Sequence, residues 1–91
     1  MKIKRPSPYD QALKLAQAAT PPPKRAYDLL VKADERGDPR ATYALATWYF
    51  FGSPFTKIDW SRAARMLKQA AEGGISDAAY DLAISYEKGA G

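Results

Sequence analysis

Two stretches of the chain decide its fold: residues 26–52 read AYDLLVKADERGDPRATYALATWYFFG, and residues 63–89 read AARMLKQAAEGGISDAAYDLAISYEKG. A shift of 37 positions (63 − 26) lays the first stretch on the second without a gap, and eleven pairs are then identical. The pairs are Ala26/Ala63, Leu30/Leu67, Ala33/Ala70, Glu35/Glu72, Gly37/Gly74, Ala41/Ala78, Tyr43/Tyr80, Leu45/Leu82, Ala46/Ala83, Tyr49/Tyr86 and Gly52/Gly89. Most are small, aromatic or glycine residues, which packing and turns require, so the repetition is structural in origin.

Each copy is predicted to form two helices, because small and apolar residues recur at helical spacing in every segment. Gly37 is predicted to end the first helix in a left-handed conformation. Asp38-Pro39 is predicted to begin the second, since aspartate caps free amides and proline is tolerated at the first helical position. Asp59 is the corresponding cap in the second copy. The aromatic residues expected on buried stripes are Tyr43, Trp48, Tyr49, Tyr80 and Tyr86.

Residues 1–23 are predicted to form a basic leader, a capping helix and a proline linker. Ser7-Pro8-Tyr9-Asp10 is typical of a capped helix start, and a helix over residues 8–19 is expected. Its apolar stripe comprises Tyr9, Ala12, Leu13, Ala16 and Ala19. Thr20-Pro21-Pro22-Pro23 should be a stiff, extended connector. Residues 24–91 then hold two repeats, at about 24–58 and 59–91.

The second copy carries the motifs of a known repeat family: Asp59-Trp60-Ser61-Arg62-Ala63, Ala70-Ala71-Glu72-Gly73-Gly74 and Tyr86-Glu87-Lys88-Gly89. In these motifs the chain resembles the Sel1-like repeat family, a relative of the tetratricopeptide repeat. The first copy departs from the pattern at Asp34, Arg36 and Ser53-Pro54. The resemblance implies an all-α, right-handed α-α superhelix, a solenoid of about two helix-turn-helix repeats with the N-terminal helix added. Gly89-Ala90-Gly91 would open the loop of a third repeat, which predicts truncation of a longer array.

Composition excludes several classes of chemistry. The chain has no cysteine and no histidine, which removes disulfides, thiolate nucleophiles and most zinc or haem ligation. The formal charge is +4, and its excess lies in residues 1–23, where four basic residues face one acidic residue. No apolar run reaches the roughly 20 residues that cross a bilayer. We therefore expect a cytoplasmic protein without a membrane span, with no cofactor and no enzymatic activity.

Three motifs with a chemical interpretation are better explained structurally. Ser85-Tyr86-Glu87-Lys88 matches the Ser-x-x-Lys of penicillin-recognising enzymes, but it lies at a helix end with no companion motif. Asp77 with Asp81, and Asp34-Glu35, are carboxylate pairs expected to be solvated helix surface. Gly73-Gly74 lies at a helix C-terminus, which is the wrong end of the helix dipole for a phosphate.

The resemblance implies an adaptor or scaffold that docks other proteins. The predicted partner-binding row consists of first-helix residues off the apolar stripe: Arg25, Asp28, Lys32, Arg62, Arg65 and Gln69. In related solenoids this helix lines the concave side, and arginines favour an acidic partner or C-terminal peptide segment. An ordinary solvated face is the alternative interpretation of this row.

Further contacts and a second function stay open. Phe55 or Trp60 beside the longer loop could contact a partner, and the uncovered C-terminal end could support self-association. The alternative function is weak binding to nucleic acid or an anionic surface. That function would use Lys2, Lys4 and Arg5 together with Arg62, Arg65 and Lys68.

Overall fold

The computed structural model describes residues 7–18 and 23–87 of the chain. Within these ranges it forms five α-helices and no β-strand beyond one isolated bridge, so the all-helical prediction is confirmed. The helices are α1 (Pro8–Ala18), α2 (Lys24–Glu35), α3 (Pro39–Phe51), α4 (Trp60–Glu72) and α5 (Ser76–Glu87). None of these helices is long and apolar enough to cross a bilayer. The predictions that involve Lys2, Lys4, Arg5, Ala19, the connector over residues 20–22, Lys88 and Gly89-Ala90-Gly91 lie outside the described residues.

The turns that end α2 and α4 are built alike. Gly37 has φ 83° and Gly74 has φ 101°, a left-handed conformation that favours glycine over any side chain with a Cβ. In both turns the amide after the glycine bonds back across the helix end, as in a Schellman cap. The closing bonds run from Asp38 N to Ala33 O and from Ile75 N to Ala70 O, each 3.0 Å long. The two turns therefore share one geometry, 37 positions apart.

Both predicted aspartate caps are confirmed. The Asp38 side chain accepts a hydrogen bond from the backbone N of Arg40, at 3.0 Å. Asp59 accepts one from the backbone N of Arg62 at the start of α4, also at 3.0 Å. Each cap satisfies an amide that has no partner inside its own helix, which fixes where α3 and α4 begin.

The core consists of alanines and a few large aliphatic side chains. The helices pack in chain order, α1 on α2, α2 on α3, α3 on α4 and α4 on α5, and the contact of α3 with α4 is the most extensive. Small side chains at the contacts let the helix backbones approach closely. The fully buried alanines are Ala26, Ala41, Ala46, Ala63, Ala70 and Ala78, and the larger core residues are Leu29, Leu30, Leu45, Met66 and Leu67.

An aromatic cluster links α2, α3 and the loop before α4. The rings of Tyr27 and Trp48 stack with centroids 5.8 Å apart, and the Phe55 ring lies 5.9 Å from Tyr27 and 6.4 Å from Trp48. The Thr56 hydroxyl donates to the carbonyl of Trp48 at 2.9 Å and holds the loop down. Phe55 is therefore half-buried within the fold, and Trp60 is the more exposed of the two candidate contacts.

Three predicted core residues are exposed instead. Tyr80 and Tyr86 on α5 are 71% and 52% exposed, because α4 covers only one side of α5 and nothing in residues 7–18 and 23–87 packs on the other. Leu13 on α1 is 41% exposed, since α1 packs on α2 through a face centred on Ala12, with Leu15 against the core in its place. The predicted helices are confirmed in both cases, but the predicted buried face is wrong at these three residues.

Candidate functional site

The six residues of the predicted partner-binding row are all solvent-exposed. Arg25, Asp28 and Lys32 lie on α2, and Arg62, Arg65 and Gln69 lie on α4 at the matched positions. Asp28 is engaged within its own helix, because its carboxylate accepts from the Lys24 ammonium at 2.9 Å. No hydrogen bond, ion pair or ring contact in the described part of the chain joins the α2 members to the α4 members.

The α4 half of this row is a cluster of unneutralised positive charge. Arg62, Arg65 and Lys68 follow one another at three-residue spacing on the exposed side of α4, a group that we call the α4 basic face. None of the three forms an ion pair within residues 7–18 and 23–87. Like charges at this spacing repel, and cations near a helix N-terminus oppose the helix dipole. An external anion would therefore relieve an unfavourable arrangement.

The guanidinium of Arg62 is held in place by a ring. It lies 4.4 Å from the centroid of Tyr49 on α3, a cation–π contact. Burial, and next the hydrogen bond between the Tyr49 and Tyr27 hydroxyls, raise the pKa of Tyr49, so the ring stays neutral under the cation. Arg62 thus rests against a neighbouring helix, while its outer side stays open to solvent.

Arg40 at the start of α3 is paired with carboxylates, unlike the cations of the α4 basic face. Its guanidinium donates to the Asp38 carboxylate at 2.8 Å, lies 3.7 Å from Asp10 on α1 and stacks 4.4 Å from the Tyr9 ring. The side-chain hydrogen bond from Arg40 lowers the pKa of the Asp38 carboxyl. Because its charge is already neutralised, Arg40 ties α1 to α3 and offers little to a ligand.

A shallow apolar groove lies between α3 and α5, above Leu67 of α4. It encloses about 90 Å³, well below the ~300 Å³ at which small-molecule sites begin, so it is too small for a cofactor. At its mouth Phe51 is 73% exposed, in edge contact with Phe50 at 4.9 Å. In the sequence these two phenylalanines end the apolar stripe before Gly52, and helical spacing gives them no other role. The other lining residues are Ala46, Thr47, Asp81 and Ile84.

Asp81 is engaged rather than free for metal binding. Its carboxylate accepts a hydrogen bond of 2.5 Å from the Tyr43 hydroxyl, which ties α5 to α3. That bond, together with burial, raises the pKa of Tyr43 to about 12. Among the described residues no three histidine, cysteine or carboxylate side chains gather into a metal-binding group. Asp34 of the other carboxylate pair accepts from the Thr42 hydroxyl.

The serine of the Ser-x-x-Lys motif is inaccessible. Ser85 is 0% exposed, and its hydroxyl donates to the backbone carbonyl of Asp81 at 3.1 Å, one helical turn earlier. A substrate cannot reach this oxygen in the folded chain. The geometry fits a serine that satisfies its own hydroxyl within a helix.

The exposed cations of α4 and the groove beside Phe51 have no counterpart in a known protein to guide their interpretation. Comparisons with protein families, with curated proteins and with solved structures find no match to this chain. The Sel1-like resemblance accordingly rests on the chain's own motifs, Asp59-Trp60 and Ala70-Ala71-Glu72 foremost, and stays a prediction.

Proposed function

We propose that this chain is a non-enzymatic protein-interaction module, an adaptor or scaffold that docks an acidic segment of a partner protein on α4. The observation that carries the proposal is the α4 basic face: Arg62, Arg65 and Lys68 are exposed and lack a carboxylate partner in the described ranges. Arginines bind carboxylates in a bidentate geometry that lysines lack, which favours a glutamate- or aspartate-rich peptide as the ligand.

In the same proposal the four helices α2 to α5 are two Sel1-like repeats in a right-handed superhelix. The concave side would then carry the full row, with Arg25 and Lys32 extending the α4 basic face. The shared geometry of the turns at Gly37 and Gly74 supports this arrangement, because equal turns set similar angles between the helices that they join. A cytoplasmic location is part of the proposal, since a cysteine-free chain makes no use of an oxidising compartment.

The proposal is tested with a charge-reversed pair. Arg62→Glu with Arg65→Glu should weaken binding of a fluorescent glutamate-rich peptide by about tenfold or more, because close charge pairs at interfaces couple strongly. The matched control is Lys14→Glu with Lys57→Glu, which makes the same charge change at two other exposed sites and should leave binding intact. Circular dichroism should show unchanged helicity for both. If both variants lose peptide binding equally, the effect comes from net charge alone, and the choice of the α4 basic face is refuted.

The nucleic-acid alternative gives a different salt response. Three cations on the α4 basic face release at most about three counterions, so log K should fall with log salt at a slope no steeper than about −2.7. A steeper slope on a labelled DNA duplex, reduced when residues 1–5 are removed, would favour the alternative. Tighter binding to the peptide than to the duplex supports protein recognition.

A further inference from the structure

Two tyrosine hydroxyls meet beside the α4 basic face, and we call them the tyrosine pair. The hydroxyl oxygens of Tyr27 on α2 and Tyr49 on α3 lie 3.4 Å apart and share one hydrogen bond, in which either can be the donor. Each hydroxyl carries one hydrogen, but only one of the two hydrogens can lie between the oxygens. Neither hydroxyl makes another hydrogen bond within residues 7–18 and 23–87. One O–H of the pair is therefore left to donate to a ligand or to water.

The Arg62 guanidinium brings a positive charge to the same place, 4.4 Å from the centroid of the Tyr49 ring. Burial has the largest effect on the pKa of Tyr49 and raises it, whereas the Arg62 cation lowers it, so the charge is felt at the hydroxyl. Asp59 accepts from the backbone N of Arg62 and forms no ion pair with its guanidinium in the described part of the chain. The guanidinium and the spare O–H are therefore two donors side by side, and no described carboxylate accepts from either.

The packing around the tyrosine pair holds it in place. Tyr49 is only 9% exposed, and the ring of Tyr27 lies 5.8 Å from that of Trp48 and 5.9 Å from that of Phe55. Tyr27 is partly exposed and Arg62 is exposed, so the site lies at the surface. Donors that are fixed before a ligand arrives lose little conformational entropy when they bind it. The arrangement therefore suits recognition of one small group with a defined geometry.

We propose that Arg62 and the tyrosine pair form a binding site for a single carboxylate of the partner. One carboxylate oxygen accepts from the guanidinium, and the other accepts from the spare phenol O–H. A carboxylate has one charge and two acceptor oxygens, which match one cation and one neutral donor, whereas a side-chain amide has no charge and only one acceptor oxygen. The site rests on the proposed function, and it names the chemical group that this part of the α4 basic face recognises.

The test removes the two hydroxyls and keeps both rings. Tyr27→Phe with Tyr49→Phe leaves the ring stacking and the contact with Arg62 in place but takes away the spare donor. This double variant should bind a fluorescent glutamate-rich peptide with blocked ends about tenfold more weakly than the wild type, because a hydrogen bond to a charged group is lost. Each single variant keeps one hydroxyl with a free hydrogen and should lose less. Fluorescence anisotropy measures the affinities.

The matched control is Tyr80→Phe with Tyr86→Phe. It makes the same chemical change at two exposed tyrosines of α5 and should leave peptide binding unchanged. A peptide in which every glutamate is replaced by glutamine should bind weakly, and the loss of the tyrosine pair should not weaken it further. Thermal melting followed by circular dichroism should show that both double variants fold.

A purely structural role for the hydroxyls is tested by repeating the comparison in two backgrounds. In Arg65→Gln the site is still whole, so loss of the tyrosine pair should again weaken binding by about tenfold. In Arg62→Gln the carboxylate has lost its cation, so the effect of the hydroxyls should fall below about twofold. A hydroxyl that only supported the fold would have the same effect in both backgrounds.

A second peptide distinguishes the two sources of a carboxylate, a side chain and a chain terminus. This peptide contains no acidic side chain and ends in a free C-terminal carboxylate. If loss of the tyrosine pair weakens its binding but not that of the glutamate-rich peptide with blocked ends, the site takes a chain terminus. The opposite result assigns the site to a side chain, and either result supports a carboxylate site.

Two results would overturn the proposal alone. The first is that the double variant binds both peptides as tightly as the wild type does, while Arg62→Glu with Arg65→Glu abolishes binding. The second is that the hydroxyl effect is equal in the Arg62→Gln and Arg65→Gln backgrounds. A wild type that binds neither peptide would instead refute the proposed function, and the carboxylate site with it.

Discussion

Tyr43 and Tyr80 are identical residues at matched positions, yet the structure predicts different consequences for removing their hydroxyls. The Tyr43 hydroxyl donates to the Asp81 carboxylate between α3 and α5, whereas Tyr80 is 71% exposed. Hydrogen bonds to charged groups contribute about 1.5–3 kcal/mol, and the partial exposure of this pair lowers that value, so Tyr43→Phe should destabilise the fold by about 1–2 kcal/mol. Tyr80→Phe should change the free energy of unfolding by less than about 0.5 kcal/mol.

The same bond predicts an alkaline pH dependence. The pKa of Tyr43 is raised from 10.0 to about 12 in the folded chain, first by the hydrogen bond to Asp81 and next by burial. A group whose folded pKa is raised stabilises the fold fully below its unfolded pKa and loses that contribution as pH rises through the folded pKa. The stability advantage of the wild type over Tyr43→Phe should therefore hold up to about pH 10 and shrink between about pH 10 and 12.

Urea denaturation followed by circular dichroism measures both effects. Wild type, Tyr43→Phe and Tyr80→Phe are compared at neutral pH and at several values above pH 9. The wild type and Tyr43→Phe share all their other ionisable groups, so the difference between these two proteins reports on Tyr43. The reasoning is refuted if the two variants lose equal stability, or if the difference between the wild type and Tyr43→Phe grows as pH rises.

Three further substitutions test the packing and the helix ends by the same denaturation assay. Leu67→Ala should destabilise by about 2–4 kcal/mol, because it empties a buried site beneath the groove, and a loss under about 1 kcal/mol would show that the site is not filled. Asp59→Ala should lower stability by about 1 kcal/mol through loss of the cap on Arg62 N, and full helicity with unchanged stability would contradict that role. Gly73→Ala should destabilise by about 1–3 kcal/mol, since the added Cβ would lie 2.7 Å from the Cβ of Pro39, and a neutral result would show that the two helices separate freely.

The helix ends were predictable from the sequence because local chemistry determines them. Gly37 and Gly74 adopt the left-handed conformation that favours glycine, and Asp38 and Asp59 accept the amides that a helix start leaves free. Each of these signals acts within a few residues of the chain, so no knowledge of the packing is needed to use it.

The buried faces were less predictable, because burial depends on what lies on the other side. The spacing of Tyr80 and Tyr86 is the spacing of a covered stripe, but no described element packs against it. Leu13 likewise belongs to an apolar stripe of α1, although the helix packs through Ala12 and Leu15. The exposed Phe51 was missed for the same reason, since periodicity places a residue on a face without saying which neighbour covers it.

The sequence predicted which residues of the candidate site are exposed, but not which of them are paired with an opposite charge. The spacing of Arg62 and Arg65 was sufficient to place both on the exposed side of α4, and the structure agrees. What the spacing could not show is that Asp28 on α2 is engaged by Lys24, while the cations of α4 have no such partner in the described ranges. Ion pairing depends on neighbours in space, so only the folded chain shows that the one carboxylate of the row, Asp28, is already engaged within α2.

The two copies keep the residues that fold them and differ in many of those that face solvent, and in the second copy the two helices also differ in charge. The first helix of the second copy is basic, whereas its second helix holds only carboxylates as charged groups. Since neither set of charges is needed for the caps or the core, packing alone does not explain the separation. The proposed docking of an acidic segment would explain why α4 is basic, because its cations are then used for the partner and not for the fold.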